Sequence, residues 1–417
     1  MNSFQKVIIP VSFFILSVFN VLFAQTANRI NWKEDLKVYK ESLKQKHIDI
    51  FHTITKEDFI KEWREIYNNL NQLSDFEVII NLMRLTRRIN DGHTAVSIKN
   101  ISTHRFPIEI SLIEGKWRVI KTVKKYDYLL GQTLVSINDT PIKEIALKVS
   151  EVAQFVENKY SLKERTASYL PISELLFYLK LIKFPDIANF SFLDHTGKRQ
   201  SVPLTAINNE LWVEDKNKLE MTTGIPEIKK VSDSGFWFRP IANTKALYIY
   251  FKTYPTFEEM QNFGNQLVTY IQENQLRQVV IDLRENGGGD LYVGTVLAYA
   301  LNLSDSIDWK DGVFVLTSNR TFSAATSNSA LFKQLLNAKI VGQPTGSNPN
   351  GYQDMDSFVL PSSKLVISYS KRVFRLSNEL NSALKPNLII KQKWQDFIYG
   401  TDTVLNELLK IIKKQQF

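Results

Sequence analysis

From about residue 246 onward the chain alternates short apolar runs with longer stretches of helical period. Residues 246–250, 278–283, 313–316 and 339–341 read as strands, and 257–273, 292–301, 324–336 and 404–414 read as helices. A hairpin is expected over 358–360 and 365–369. Strands that each lead into a helix must run parallel and be covered by those helices, so this pattern predicts an α/β layer fold. It also places the functional loops, because ligands of open α/β sheets bind at the carboxyl ends of the strands.

The part before residue 246 has a different texture. Between Trp32 and Ile89, apolar residues recur three or four apart in three successive runs, which predicts helices. The third opens with Ser74-Asp75-Phe76-Glu77, a capping-box sequence, and closes at Asn90-Asp91-Gly92, where the glycine is expected to take a left-handed C′ conformation. His93 then follows a helix end directly. Over 106–204 the period shortens into a small mixed domain, with strands near 106–112, 117–123, 134–137, 189–193 and 200–204 and helices near 142–156 and 173–181. Residues 205–237 read as a linker.

Composition removes several chemistries. The 417 residues include no cysteine, so a disulfide scaffold, a thiolate metal site and a cysteine nucleophile are excluded. Lys and Arg number 52 against 43 Asp and Glu, a net charge of +9, but the cations are scattered among acids rather than gathered into an aromatic-interleaved stripe. That argues against nucleic acid as a partner and allows at most a weak attraction to a membrane surface. Residues 1–24 combine Lys6, an apolar run from Val7 to Phe23 and a small residue, Ala24, the order of a cleaved export signal. A periplasmic or extracellular location after cleavage near Ala24 is therefore expected.

Three loops carry candidate chemistry. The apolar strand at 278–283 runs into Arg284-Glu285-Asn286-Gly287-Gly288-Gly289, whose bare backbone N–H groups could stabilise an oxyanion or simply make a tight turn. A phosphate loop would need Gly-Lys-Ser/Thr, and Asp290 follows instead. The strand at 313–316 leads through Phe322 to Ser323 at a helix start, where a serine is either an N-cap or a nucleophile favoured by the helix dipole, with the Ala324 N–H beside it. Of five histidines, none forms a His-Glu-x-x-His pair, so no metal site is expected. His93 alone joins a helix exit to a following strand, as a structural hydrogen-bonder or as a base.

Taken in order, RRINDGHTAVSI, VVIDLRENGGGDLYVG, LTSNRTFSAAT, AKIVGQPTG and FVLPSSKLVISYSKR resemble the carboxy-terminal processing (tail-specific) serine peptidases, the group that includes the tricorn protease core. The resemblance implies a ClpP/crotonase-like catalytic domain at 237–417, a helical region at 25–104 carrying Asp91-Gly92-His93-Thr94, and a small degenerate PDZ-like α+β domain with linker at 105–236. It implies Ser323 as nucleophile, His93 as a tricorn-type base, and Gly287, Gly288 and Ala324 as the oxyanion hole. The Ser–Lys branch of the family carries a lysine after its Thr-Gly, where this chain has Thr345-Gly346-Ser347. The resemblance is therefore closer to the Ser–His branch, whose orienting carboxylate falls, displaced by about one residue, on Glu379. The segment LLGQTLVSINDTPIKEI resembles the second half of a PDZ-like module. The expected activity is cofactor-free hydrolysis of peptide or protein substrates by an endopeptidase or carboxy-terminal processing peptidase. A non-catalytic carrier on the same fold is the alternative.

Overall fold

The computed structural model describes residues 30–230, 232–378 and 382–415. The export segment ending at Ala24 and the carboxylate Glu379 lie outside the described residues. Among them, no helix is long and apolar enough to cross a membrane.

The α/β layer expected from residue 246 is present. Its sheet has six strands in the order Phe236–Pro240, Ala246–Phe251, Gln278–Asp282, Val313–Thr317, Lys339–Gly342 and Leu388–Ile389, all parallel except the antiparallel first. The parallel strands follow chain order across the sheet, and right-handed crossovers in one direction put every connecting helix on one face. Helices Phe257–Glu273, Leu291–Leu301 and Ala324–Leu335 accordingly share one core with Leu247, Ile249, Val279, Ile281 and Val315. Alternate strand residues Ala246, Tyr248, Val280, Phe314 and Leu316 point the other way, where helix Thr403–Lys414 covers them.

The edge strand Phe236–Pro240 comes from the end of the stretch read as linker. That stretch also holds the short helix Asn209–Glu214. Its isolated apolar residues lacked a period long enough to show either element.

Residues 104–220 build a second, antiparallel sheet and a separate core around Phe106, Phe190 and Phe192. Helix Ser173–Tyr178 is close to expectation, helix Ile142–Ser150 ends well before the expected residue 156, and helix Lys159–Tyr169 was not legible in the sequence. Its buried residues are Ser161, Thr166 and Ala167, so it has no apolar stripe to reveal it. It is started instead by Asn158, whose side chain accepts from the N–H groups of Tyr160 and Ser161.

The N-terminal helices Trp32–Lys46, Lys56–Asn68 and Asp75–Arg87 form where the period placed them, and the Ser74–Glu77 capping box is made reciprocally. They do not close their own core. Leu360, Leu365, Ile367 and Tyr369 from the far end of the chain complete it. Those residues belong to a long hairpin, Asn350–Val359 with Val366–Arg375, which extends well beyond the expected 358–360 and 365–369. Strand Ala95–Ser97 pairs antiparallel with this hairpin, Ala95 opposite Ser368, and so docks the loop at residue 93 onto the α/β unit.

Candidate active site

The turn before Ala95 differs from expectation: the helix ends at Arg87 with Arg88 as C-cap, so His93 lies on a turn beyond the helix rather than directly after its end. Asn90, not Gly92, takes the left-handed conformation, at φ 57°. Gly92 is required for space: a Cβ there would lie 2.7 Å from Glu157 Cβ and 2.9 Å from Phe322 Cζ. The missing side chain lets the histidine loop close against the segment that carries Ser323.

That closure brings His93 Nε2 to 2.9 Å from Ser323 Oγ, across 230 residues of sequence. His93 is only 2% exposed. Ser323 stands at the start of helix Ala324–Leu335 with φ 52° and ψ −127°, and its side chain makes no capping hydrogen bond. The N-cap alternative for Ser323 is thereby excluded. A non-glycine residue in that backbone region costs on the order of 1–3 kcal/mol and persists only where its surroundings impose it. Here the Ser323 N–H donates to Ser347 Oγ at 2.8 Å, and Ser347 Oγ meets Thr326 Oγ1 at 2.8 Å. Ser347 thus holds the strained peptide.

The glycine loop packs against the same serine. Gly288 has φ 109°, and a Cβ on it would come 2.6 Å from Ser323 Cβ. Its N–H donates to Asn286 Oδ1 at 2.9 Å, while no hydrogen bond engages the N–H of Gly287 or Ala324 among the described residues. Asn286 is fully buried and ties three segments together: its Nδ2 donates to the Phe251 carbonyl, and its own carbonyl accepts from the Phe322 N–H.

Asp91 is the residue whose importance sequence reasoning missed. Its Oδ1 accepts from the His93 N–H at 2.8 Å and from Ser370 Oγ at 2.9 Å, and its Oδ2 from Thr94 Oγ1 at 2.7 Å. His47 Nε2 lies 2.8 Å from the same Oδ2. Because His47 Nδ1 accepts from the Asp49 N–H at 2.9 Å, the proton sits on Nε2 and is donated to Asp91. Burial pushes the Asp91 carboxyl up, but the His47 hydrogen bond, the His93 charge and the Thr94 and His93 N–H bonds outweigh it and hold it below its usual range. The available signal was the Asp-x-His spacing, which lets a carboxylate accept from the backbone two residues on.

His93 itself is pushed below its ordinary pKa, first by burial. The nearby Asp91 charge and the Tyr352 carbonyl oppose the shift, and Arg165 adds to it. Its Nδ1 lies 4.0 Å from Asp91 Oδ1; the Tyr352 carbonyl acts on the ring, but no hydrogen bond of normal geometry reaches Nδ1 among the described residues. Phe322 backs the ring at a centroid distance of 5.3 Å. Beside it, burial and the Asp91 charge raise the Glu157 carboxyl well above its usual range, and Glu157 Oε2 is buried and unpartnered. Among the described residues, no group of three or more acidic or histidine side chains is placed to hold a metal ion.

Similarity to solved structures extends over nearly the whole chain. A crystal structure of a CPAF mutant superposes with a TM-score of 0.66 at 12% identity, covering 92% of this chain and 97% of that one. Mature CPAF complexed with lactacystin gives 0.66 at 11%, covering 91% and 98%. This chain has the fold of CPAF. A looser overlap, TM-score 0.43 at 12% identity over 87% of this chain and 93% of the other, is with the photosystem II D1 C-terminal processing protease. No protein-family model and no curated protein sequence matches. The likeness to CPAF therefore lies in how the helical region, the antiparallel sheet and the α/β unit are arranged, at an identity too low to align side chains by sequence.

Proposed function

We propose that the protein is a serine peptidase that hydrolyses peptide bonds through a Ser323–His93 pair. One observation carries the reading: a buried imidazole held 2.9 Å from the hydroxyl of a serine whose backbone is strained at a helix start. An N-cap needs neither the strain nor the histidine.

In this mechanism Ser323 Oγ attacks the scissile carbonyl and neutral His93 takes its proton at Nε2, then returns it to the leaving amine. The acyl-serine is released by water along the same route. The developing oxyanion is assigned to the N–H groups at the glycine loop and the helix start. Among the described residues no hydrogen bond engages those of Gly287 and Ala324, and Gly288 contributes a third once Asn286 releases it. With Nε2 facing the serine, Nδ1 must carry a proton, and Glu379 is the proposed acceptor that orients it. The antiparallel domain is proposed as a PDZ-like module, and residues 1–24 as an export signal with cleavage near Ala24. The carrier alternative gains nothing from a strained serine paired to a base.

The decisive test is labelling by a fluorophosphonate probe together with peptide hydrolysis. Wild-type protein should label and cleave, Ser323→Ala should do neither, and His93→Ala should lose several orders of magnitude in turnover with the fold retained. Full activity in Ser323→Ala, or unlabelled wild-type protein that binds but never cleaves, would overturn the assignment.

A further inference from the structure

One cation beside Phe322 makes no ion pair among the described residues, and the Glu164 charge that acts on it is shared with Arg320. Arg165, on helix Lys159–Tyr169, stacks its guanidinium over Phe322 at 5.4 Å from the ring centre and over Phe155 at 5.8 Å. Phe322 immediately precedes Ser323 and backs His93. No hydrogen bond or ion pair reaches the Arg165 guanidinium among the described residues, and its nitrogens are not among the atoms sealed from solvent.

The nearby acids are already committed. Glu164 and Glu285 both pair with Arg320, each at 3.2 Å. Asp91 is filled by His47, Thr94, Ser370 and the His93 backbone. Burial, and then the Asp91 charge, push the Glu157 carboxyl well above its usual range, which disfavours its charged form as a partner. An arginine set over two aromatic rings, largely buried and with its donors unspent, has lost water and gained only a share of the Glu164 charge. Its fork of N–H groups suits a carboxylate bound edge-on.

We propose that Arg165 is the substrate-carboxylate anchor of this active site, selecting peptides that carry a carboxylate close to the scissile bond. The carboxylate is an Asp or Glu side chain or a free C-terminus. As a claim about hydrolysis this rests on the Ser323–His93 reading; as a claim about binding it stands alone.

The experiment uses a set of fluorescent peptides of one neutral parent. Asp or Glu replaces Asn or Gln at each of three positions on either side of the cleaved bond, and the C-terminus is free acid or amide. Binding is measured to the Ser323→Ala protein and kcat/KM to the otherwise unaltered protein, each with and without Arg165→Met, Arg165→Lys and Arg165→Glu. One carboxylate-bearing peptide should bind and turn over about 10- to 100-fold better than its neutral isostere, the scale of a charge-assisted hydrogen bond. Arg165→Met should erase that preference, so that acidic and neutral peptides bind and turn over alike whatever common change the lost charge makes at His93, Arg165→Lys should restore part of the preference, and Arg165→Glu should reverse it. Whether the favoured peptide is the free acid or a side-chain acid identifies the source of the carboxylate. Equal binding of acidic and neutral peptides by Ser323→Ala overturns the proposal. So does an Arg165→Met defect equal on all peptides, the mark of a group that only supports Phe322. Arg165-dependent binding without any cleavage would overturn the hydrolytic reading and leave the anchor standing.

Discussion

His93 shows how much one buried side chain depends on its immediate neighbours. Burial lowers its pKa more than Asp91 and the Tyr352 carbonyl raise it, so the ring is neutral, and able to accept the Ser323 proton, at a lower pH than an ordinary histidine. Activity should therefore rise from acid pH and level off with a midpoint below the reference value of about 6.5. A pH profile of kcat/KM checks this, and a rising limb centred well above pH 7 would point to another base. Gly92 belongs to the same scale. Its alanine variant must push Glu157 or Phe322 aside, since three heavy atoms lie 2.7–2.9 Å from the new Cβ. We expect Gly92→Ala to destabilise the fold by about 1–3 kcal/mol and to lower kcat more than it raises KM, because Phe322 supports the His93 ring. Denaturant titration and steady-state kinetics read the two effects separately.

Single elements are fixed by charged groups that the hydrophobic pattern does not reveal. Helix Thr403–Lys414 covers the outer face of the parallel sheet through Val404, Leu405, Leu408 and Ile412. Its N-cap, Asp402, accepts from the Leu405 N–H at 3.0 Å and also pairs with Arg284 at 2.8 Å. Arg284 pairs in turn with Asp282 at 2.6 Å, at the end of strand Gln278–Asp282 and one step before the glycine loop. Asp402→Ala removes a helix cap and half of the counter-charge of a largely buried arginine. The expected loss is about 2–4 kcal/mol, seen as a lower denaturant midpoint at unchanged slope. A change within a few tenths of a kcal/mol would show that Asp282 alone balances Arg284. The helices with apolar stripes and the capping box at Ser74 were legible because periodicity and cap chemistry are local. Helix Lys159–Tyr169 was not, because its buried side chains are Ser161, Thr166 and Ala167, and it carries the arginine of the proposed anchor.

At the scale of the whole molecule, the N-terminal helices and the C-terminal hairpin are one unit. Leu360, Leu365, Ile367 and Tyr369 are nearly fully buried against helices that lie about three hundred residues earlier. A fragment starting at residue 105 should therefore expose that face, bind a hydrophobic dye and unfold without a sharp transition. Cooperative unfolding of the fragment near the intact midpoint would show that the α/β unit is self-sufficient. The sequence alone determined the alternating α/β plan, the period of the N-terminal helices and the loops able to carry chemistry, because each depends on residues within a turn or a strand of one another. Only the tertiary structure decided that strand Ala95–Ser97 pairs with the hairpin and brings His93 to Ser323, and that Asp91 is filled by His47 and Ser370. It alone set Arg165 over Phe322 with no ion pair among the described residues. Those relations join residues far apart in the chain, and they are set by how separate cores pack, which no local pattern of side chains records.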